Sequence, residues 1–297
     1  MPHQPFFYGG QALIEGVMMR GREHIATAIR CPNGELEILS KPLPNIYKGK
    51  LRNTPFVRGI IVLIETLVLG IQTMFHSAQV AASEDGEEIP AGMLWGSLAM
   101  ALVFAVAIFF VLPLLVTRYL IDPFISSSLV SNLIEGALRI GIFIAYLWLI
   151  GRMKDIKNVF AYHGAEHKTI NAFEAGMPLE VDAVKNYSAS HARCGTSFTL
   201  IVLVIAIFVF ALFGRPELWL SITSRIVLIP VIAAIGYEFV KFGGVHSHNP
   251  VVHALLVPGL LMQAMTTREP NNSQIETAIA ALKKAIEADS RELPTQN

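Results

Sequence analysis

The chain has 297 residues, of which 53% are apolar and only 15% charged, with 23 basic residues set against 23 acidic ones. With a mean hydropathy of +0.51, these values suit an integral membrane protein better than a soluble domain. The sequence has no P-loop, dinucleotide fingerprint, nucleophile elbow or zinc-ribbon spacing, and no sequence-specific nucleic-acid binding is expected.

The opening residues, Met1 to Phe7, lack the basic flank and apolar core of a signal peptide, so the first span is expected to act as its own insertion signal. Residues 1–55 read as a small cytoplasmic β-rich unit. Ala12–Met19 and His24–Arg30 favour strands, Pro32-Asn33-Gly34 is a turn signal, and Glu35–Leu39 alternates. Gly9, Gly10, Gly16 and Gly21 read as tight turns, with close backbone approach as the alternative. Residues 56–92 read as an interfacial or re-entrant helix over Phe56–Phe75, carrying Arg58, Glu65 and Gln72, then an acidic linker at Glu84, Asp85, Glu87 and Glu88.

Residues 93–267 form the expected helical membrane domain. Met93–Val116 and Cys194–Gly214 are runs of 24 and 21 residues without a charge. Leu133–Gly151 is apolar apart from Glu135 and Arg139, and Leu218–Tyr237 apart from Arg225. His253–Met265 is too short to span and reads as interfacial or re-entrant. Residues 268–297 read as a cytoplasmic helix, with Ser273-Gln274-Ile275-Glu276 as a capping box and Ile275, Ile279, Leu282 and Ile286 as its docking stripe. The expected fold is therefore mainly α. It is a polytopic membrane protein with about four transmembrane helices, a small N-terminal cytoplasmic β-rich unit and one or two re-entrant or interfacial helices.

Lys and Arg residues number 8, 1, 6, 1 and 5 along the successive non-spanning segments. That alternation places both termini and the loop 152–197 in the cytoplasm. The two cysteines, Cys31 and Cys194, fit a reducing compartment without disulfides.

The loop 152–197 carries the chemistry. Val159–Ala175 reads as a helix ending at Gly176, and Val181–Tyr187 as a second short one. Within the first, His163, Glu166 and His167 fit H-x-x-E-H, which sets two imidazoles on one helical face a turn apart. His191 and Cys194 follow at the mouth of the third span. Imidazole and thiolate are the usual ligands of Zn²⁺, and a carboxylate beside them can act as general base. The candidate ligands are thus His163, His167, His191 and Cys194, with Glu166 as the catalytic base. The plainer readings are hydrogen-bonded interfacial histidines, a small buried cysteine, and Glu166 paired with Arg193 or Lys168. Glu65 with Arg58, and Glu135 with Arg139, are expected to satisfy one another, whereas Arg225 needs a cavity or a carboxylate from another span. His246, His248 and His253 read as part of a polar loop.

Gly9 to Gly21, Tyr162 to Lys168, His191 to Phe198, and Thr266-Thr267-Arg268-Glu269-Pro270 resemble, in order, the signatures of the YqhQ-like bacterial membrane proteins. The resemblance covers nearly the whole chain and implies a bacterial or organellar inner-membrane location, with the bacterial cytoplasmic membrane expected. It marks His163, Glu166, His167, His191 and Cys194 as signature positions, together with Glu15 and Arg20. That family is a domain of unknown function labelled metal-dependent enzymes, a label that rests on the same residues.

Three function classes follow. The first is a zinc-dependent membrane hydrolase acting at the cytoplasmic face on a peptide or lipid. The second is a non-enzymatic assembly or scaffold factor docking a cytoplasmic partner, such as the translation or insertion machinery, with any metal structural. The third is a small transporter, suggested by Arg225 and the Glu135/Arg139 pair. Four ligands closing the metal point to the scaffold, and three ligands with an open position point to catalysis.

Overall fold

The computed structural model describes residues 6–49, 52, 54–82, 89–191, 194–214, 216–246 and 249–292. The acidic linker expected at Glu84 to Glu88 lies outside these residues, as do Arg193 and His248. The described chain is mainly helical, with one small antiparallel sheet near its N-terminus.

The sheet runs in sequence order through β1 (Gly9–Leu13), β2 (Gly16–Arg20), β3 (His24–Arg30) and β4 (Leu36–Pro42). The single strand expected over Ala12–Met19 is in fact a hairpin that turns at Ile14 and Glu15. Glu15 takes a φ of +51°. Its backbone oxygen accepts from Arg30 N at 2.7 Å, and its carboxylate accepts from Asn158 and, at 3.2 Å, from the Tyr162 hydroxyl. Long-range hydrogen bonds thus hold a backbone conformation that β propensity alone disfavours.

Strand periodicity gives the sheet two apolar faces. Val17, Met19, Ala26 and Ala28 point one way, toward the helices α5 (Lys154–Glu174) and α11 (Asn272–Glu292). Leu13, Met18, Ile25 and Ile29 point the other way, toward α1 (Val57–Ala82). The result is a helix–sheet–helix sandwich built from the two ends of the chain and its central loop.

Helix α1 is longer than the interfacial segment expected over Phe56–Phe75, and by length and composition it is apolar enough to cross a membrane. Its contacts place it on the sheet, however. Ile61, Leu69 and Val80 pack into the sheet's apolar face, and Ile14 N donates to Ser77 Oγ at 3.3 Å. Its N-terminal turn meets α9 (Ile229–Val245), where Arg58 pairs with Glu238. Glu65 therefore does not pair with Arg58 as expected but accepts from Arg20 and Arg52. Residues seven apart on one helix sit two turns apart, and each found a nearer partner in another element.

Three further helices are long and apolar enough to cross a membrane. The first starts at α2 (Ala91–Val106) and runs through two π-type stretches and α3 (Leu112–Val116) to Phe124. Pro113 cannot donate to the Phe109 carbonyl, and Arg139 Nε takes that carbonyl instead, at 2.9 Å. The other two are α4 (Ser128–Ile150) and α7 (Gly195–Phe213). The segment expected as a straight fourth span is a bent pair, α8 (Leu218–Val227) and α9, with a 44° break. Pro230 at the start of α9 accounts for the break, because it removes a helical donor. Then α10 (Pro250–Thr266) is a short apolar helix with Pro258 inside it.

Among these helices Glu135 gathers two guanidiniums. Arg225 reaches it from α8 through two nitrogens at 2.8–3.0 Å, and Arg139 at 2.7 Å from the next turn of α4. In apolar surroundings such a cluster is the low-cost way to hold three charges.

Helix α11 begins with a reciprocal capping box, but not at Ser273. Asn271 Oδ1 accepts from Gln274 N and Asn271 N donates to Gln274 Oε1, both at 2.9 Å. The Pro270 ring ends the preceding extended segment, so the next residue with a short polar side chain takes the cap. Of the expected stripe, Ile275, Ile279 and Leu282 are buried, and Ile286 packs at the edge of the same core.

Candidate metal centre

Helix α5 supplies the first half of the site. It begins at Lys154, five residues before the expected start, and ends in a Schellman motif, in which Met177 N donates to Ala172 O and Gly176 N to Phe173 O, both at 3.0 Å. Gly176 has the left-handed φ of +70° that this ending requires. Tyr162, Ala165 and Ile170 face the sheet, which turns the His163, Glu166 and His167 side inward rather than to solvent.

The two imidazoles lie with ring centroids 4.4 Å apart. Each Nδ1 is anchored by a backbone carbonyl, His163 to Thr266 O at 2.9 Å and His167 to Ala189 O at 2.7 Å. An anchored Nδ1–H leaves the Nε2 lone pair for a ligand, the arrangement that orients metal-binding histidines. The Thr266 carbonyl is one that α10 leaves unpaired at its C-terminal end.

Cys194 comes from the opposite side as the N-cap of α7, with its sulfur accepting from Thr196 N at 3.4 Å. His163 Nε2 lies 3.3 Å from Cys194 Sγ. The potential ligand atoms of His163, His167 and Cys194 all fall within 4.8 Å of one another. Burial pushes the Cys194 thiol up, but the two imidazoles outweigh it and hold its pKa down at about 4. Burial likewise lowers His163, and the thiolate and the Glu166 carboxylate outweigh it, raising its pKa to about 9. His167 is raised by the same balance.

His191 is brought near but stands one ring further out. Its ring centroid is 5.7 Å from that of His167, and its Nε2 is 3.6 Å from a Glu174 oxygen. Glu166 is buried between the ligands and β1. A Cβ on Gly10 would lie 2.8 Å from Glu166 Cγ and 2.7 Å from Met18 O, so Gly10 serves close approach rather than a turn. Burial raises the Glu166 pKa, and the surrounding imidazoles pull it back only in part. Lys168, a candidate partner for Glu166, instead pairs with Glu269 at 2.6 Å.

Two cavities meet at this cluster. One of about 230 Å³ is lined by His163, Glu166, His167, His191 and Cys194. The other, about 700 Å³, lies between the sheet and the apolar helices, with His163, Glu166 and Thr266 on one side and Arg20, Arg52 and Glu65 on another. Arg20 thus belongs to the larger cleft, whereas Glu15 and Arg225 line neither cavity. His246 is exposed, with its ring stacked on Phe242 at 4.3 Å. Sequence reasoning missed the Thr266 and Ala189 carbonyls, which carry no residue-type signal, and it missed Arg52, which appears only as one of many basic residues.

Comparison with known proteins places these features in a family. A family model described as a protein of unknown function (DUF1385) matches residues 54–288. The uncharacterized protein YqhQ of Bacillus subtilis (strain 168) is 33% identical over 302 residues, covering 96% of this chain and 94% of the relative. No solved structure matches.

Proposed function

The chain belongs to the DUF1385 family, and from that premise we propose that it is a zinc-dependent hydrolase working where the sandwich meets the apolar helices. The observation that carries this reading is the convergence of two carbonyl-anchored imidazoles and one thiolate on a single point. The donor set suits Zn²⁺ rather than a hard cation, and a cysteine with a pKa near 4 is already in its ligand form at neutral pH. A Zn²⁺ ion held there supplies Lewis-acid chemistry, lowering the pKa of water and polarising a substrate oxygen.

The chain's own residues do the remainder. Thr266 and Ala189 fix the tautomers and aim the imidazoles. Glu166 faces both cavities and has no hydrogen-bond partner among the described residues, so its carboxylate is available to take a proton from attacking water and return it to the leaving group. Three converging ligands beside a cavity favour catalysis over the closed four-ligand site of a scaffold. The transporter reading loses its motive, because Arg225 and Arg139 both bind Glu135.

Metal analysis of the purified protein tests the proposal. The wild type should carry about one zinc per chain. His163→Ala, His167→Ala and Cys194→Ser should lose it, while His191→Ala and Glu166→Gln should keep it. A wild type purified without chelators that holds no stoichiometric zinc would end the metal reading. Retention of zinc by both His163→Ala and Cys194→Ser would end this ligand assignment.

A further inference from the structure

The larger cleft has chemistry that the metal ligands do not account for. Its apolar wall comes from α1 and α4, chiefly Leu69, Phe143 and Leu147. These helices line the same space without forming a packed interface with each other, since α1 packs on α9 and the sheet, and α4 on α7. The cleft is therefore open between two apolar helices. On its sheet side Arg20 and Arg52 share one carboxylate, that of Glu65, while Glu166 lines the side of the cleft nearer the histidines.

Arg52 bonds to Tyr47 O and Glu65 through Nη1 alone, and its Nε and Nη2 have no partner among the described residues. Burial, and then the charge of Arg20, lower its pKa to about 10, as expected for a guanidinium whose charge is incompletely matched. Arg20 spends Nε, Nη1 and Nη2 on Glu65, Gly21 O and Tyr47 O, so the open Nε–Nη2 edge is that of Arg52, a fork that suits a tetrahedral oxyanion.

We propose that this cleft binds an amphipathic substrate with an anionic, phosphate-type headgroup, the head on the open edge of Arg52 and the apolar tail between α1 and α4. The proposal rests on the hydrolytic reading of the metal centre and names its substrate class. His163 and Glu166 line the same cleft, so a bond near the headgroup would lie beside them.

The test is photo-crosslinking of the full chain in neutral detergent micelles, with phosphatidic acid or phosphatidylcholine carrying a photoreactive group in the acyl chain. Phosphatidic acid should label α1 and α4 around Leu69, Phe143 and Leu147 about ten-fold more than phosphatidylcholine, the worth of one charge-assisted hydrogen bond. Arg52→Gln should abolish the preference and Arg52→Lys should keep most of it. Thr66→Glu, which adds a charge of the headgroup's own sign to the cleft wall, should abolish it as well. Chelator-treated protein should label like the wild type. Failure of the metal reading and failure of this one are therefore separate results. Equal labelling by the two lipids, or a preference that survives both Arg52→Gln and Thr66→Glu, would overturn the proposal. So would displacement of the probe by inorganic phosphate at matching concentration, since a free anion would then bind without the tail.

Discussion

Cys194 sits where a helix N-terminus and two imidazoles converge, and each favours its thiolate. The sign of the effect follows from the direction of the shift. The pKa falls from 9.0 in the unfolded chain to about 4 in the folded one. The thiolate's contribution to stability is therefore fully present above pH 9 and is lost as pH falls through about 4. In chelator-treated protein, thiolate absorbance near ~240 nm, taken as wild type minus Cys194→Ser, should persist at pH 6 and vanish below about pH 4. Absorbance that instead rises only as pH approaches 9 would mean an ordinary thiol. Gly10 is the other sensitive residue. An added methyl meets the Met18 backbone and Glu166 together, so Gly10→Ala should destabilise the fold by about 1–3 kcal/mol, read from thermal unfolding.

The elements were legible in the sequence where one periodicity ruled and illegible where a distant group intervened. The stripe of α11 reflects burial on one face and the β-favouring run of β3 reflects burial on both, and a local pattern records each. The turn at Glu15 depends on Asn158 and Tyr162, far along the chain, and the cap of α11 on Pro270 and Asn271. At the centre, the i, i+4 spacing showed that His163 and His167 share a face. That Cys194 reaches them while His191 turns toward Glu174 is a property of how α7 and α5 meet. Docking of α11 has a second anchor invisible to pattern reading. The Asp289 carboxylate accepts the backbone N–H groups of Arg22, Glu23 and His24 at 2.6–3.0 Å. Asp289→Ala leaves three amides to find water and should cost about 2–4 kcal/mol. Ile279→Asp with Leu282→Asp should release the helix altogether, exposing Lys283 and Lys284 to trypsin while the apolar helices remain extractable only by detergent. Unchanged trypsin resistance of the tail in that double variant would count against docking.

At the scale of the whole molecule, packing constrains topology more tightly than charge counting does. The sheet, α5 and α11 form one core, so they must lie on the same side of any membrane the chain enters. Between the sheet and α5 come three helices that are long and apolar enough to cross, namely α1, the rod that starts at α2, and α4. An odd number of crossings would put α5 on the wrong side, so one of the three must stay on the sheet's side. Helix α1 is that one, because Ile61 to Val80 lie along the sheet and Glu65 is buried against Arg20 and Arg52. The same parity holds further on. Helix α7 leads away, the bent pair α8–α9 leads back, and α10 is too short to add a crossing before α11. This parity predicts four crossings, and the Lys and Arg counts predict that both ends lie on the cytoplasmic side. Single cysteines read by a membrane-impermeant maleimide on intact cells test this directly. Ser128→Cys and Glu217→Cys should label from outside, whereas Ala91→Cys and Asn186→Cys should label only after the cells are opened. Ala91 is the decisive position, because labelling there from outside would make α1 a true crossing and would be incompatible with the sheet packing on both α1 and α5.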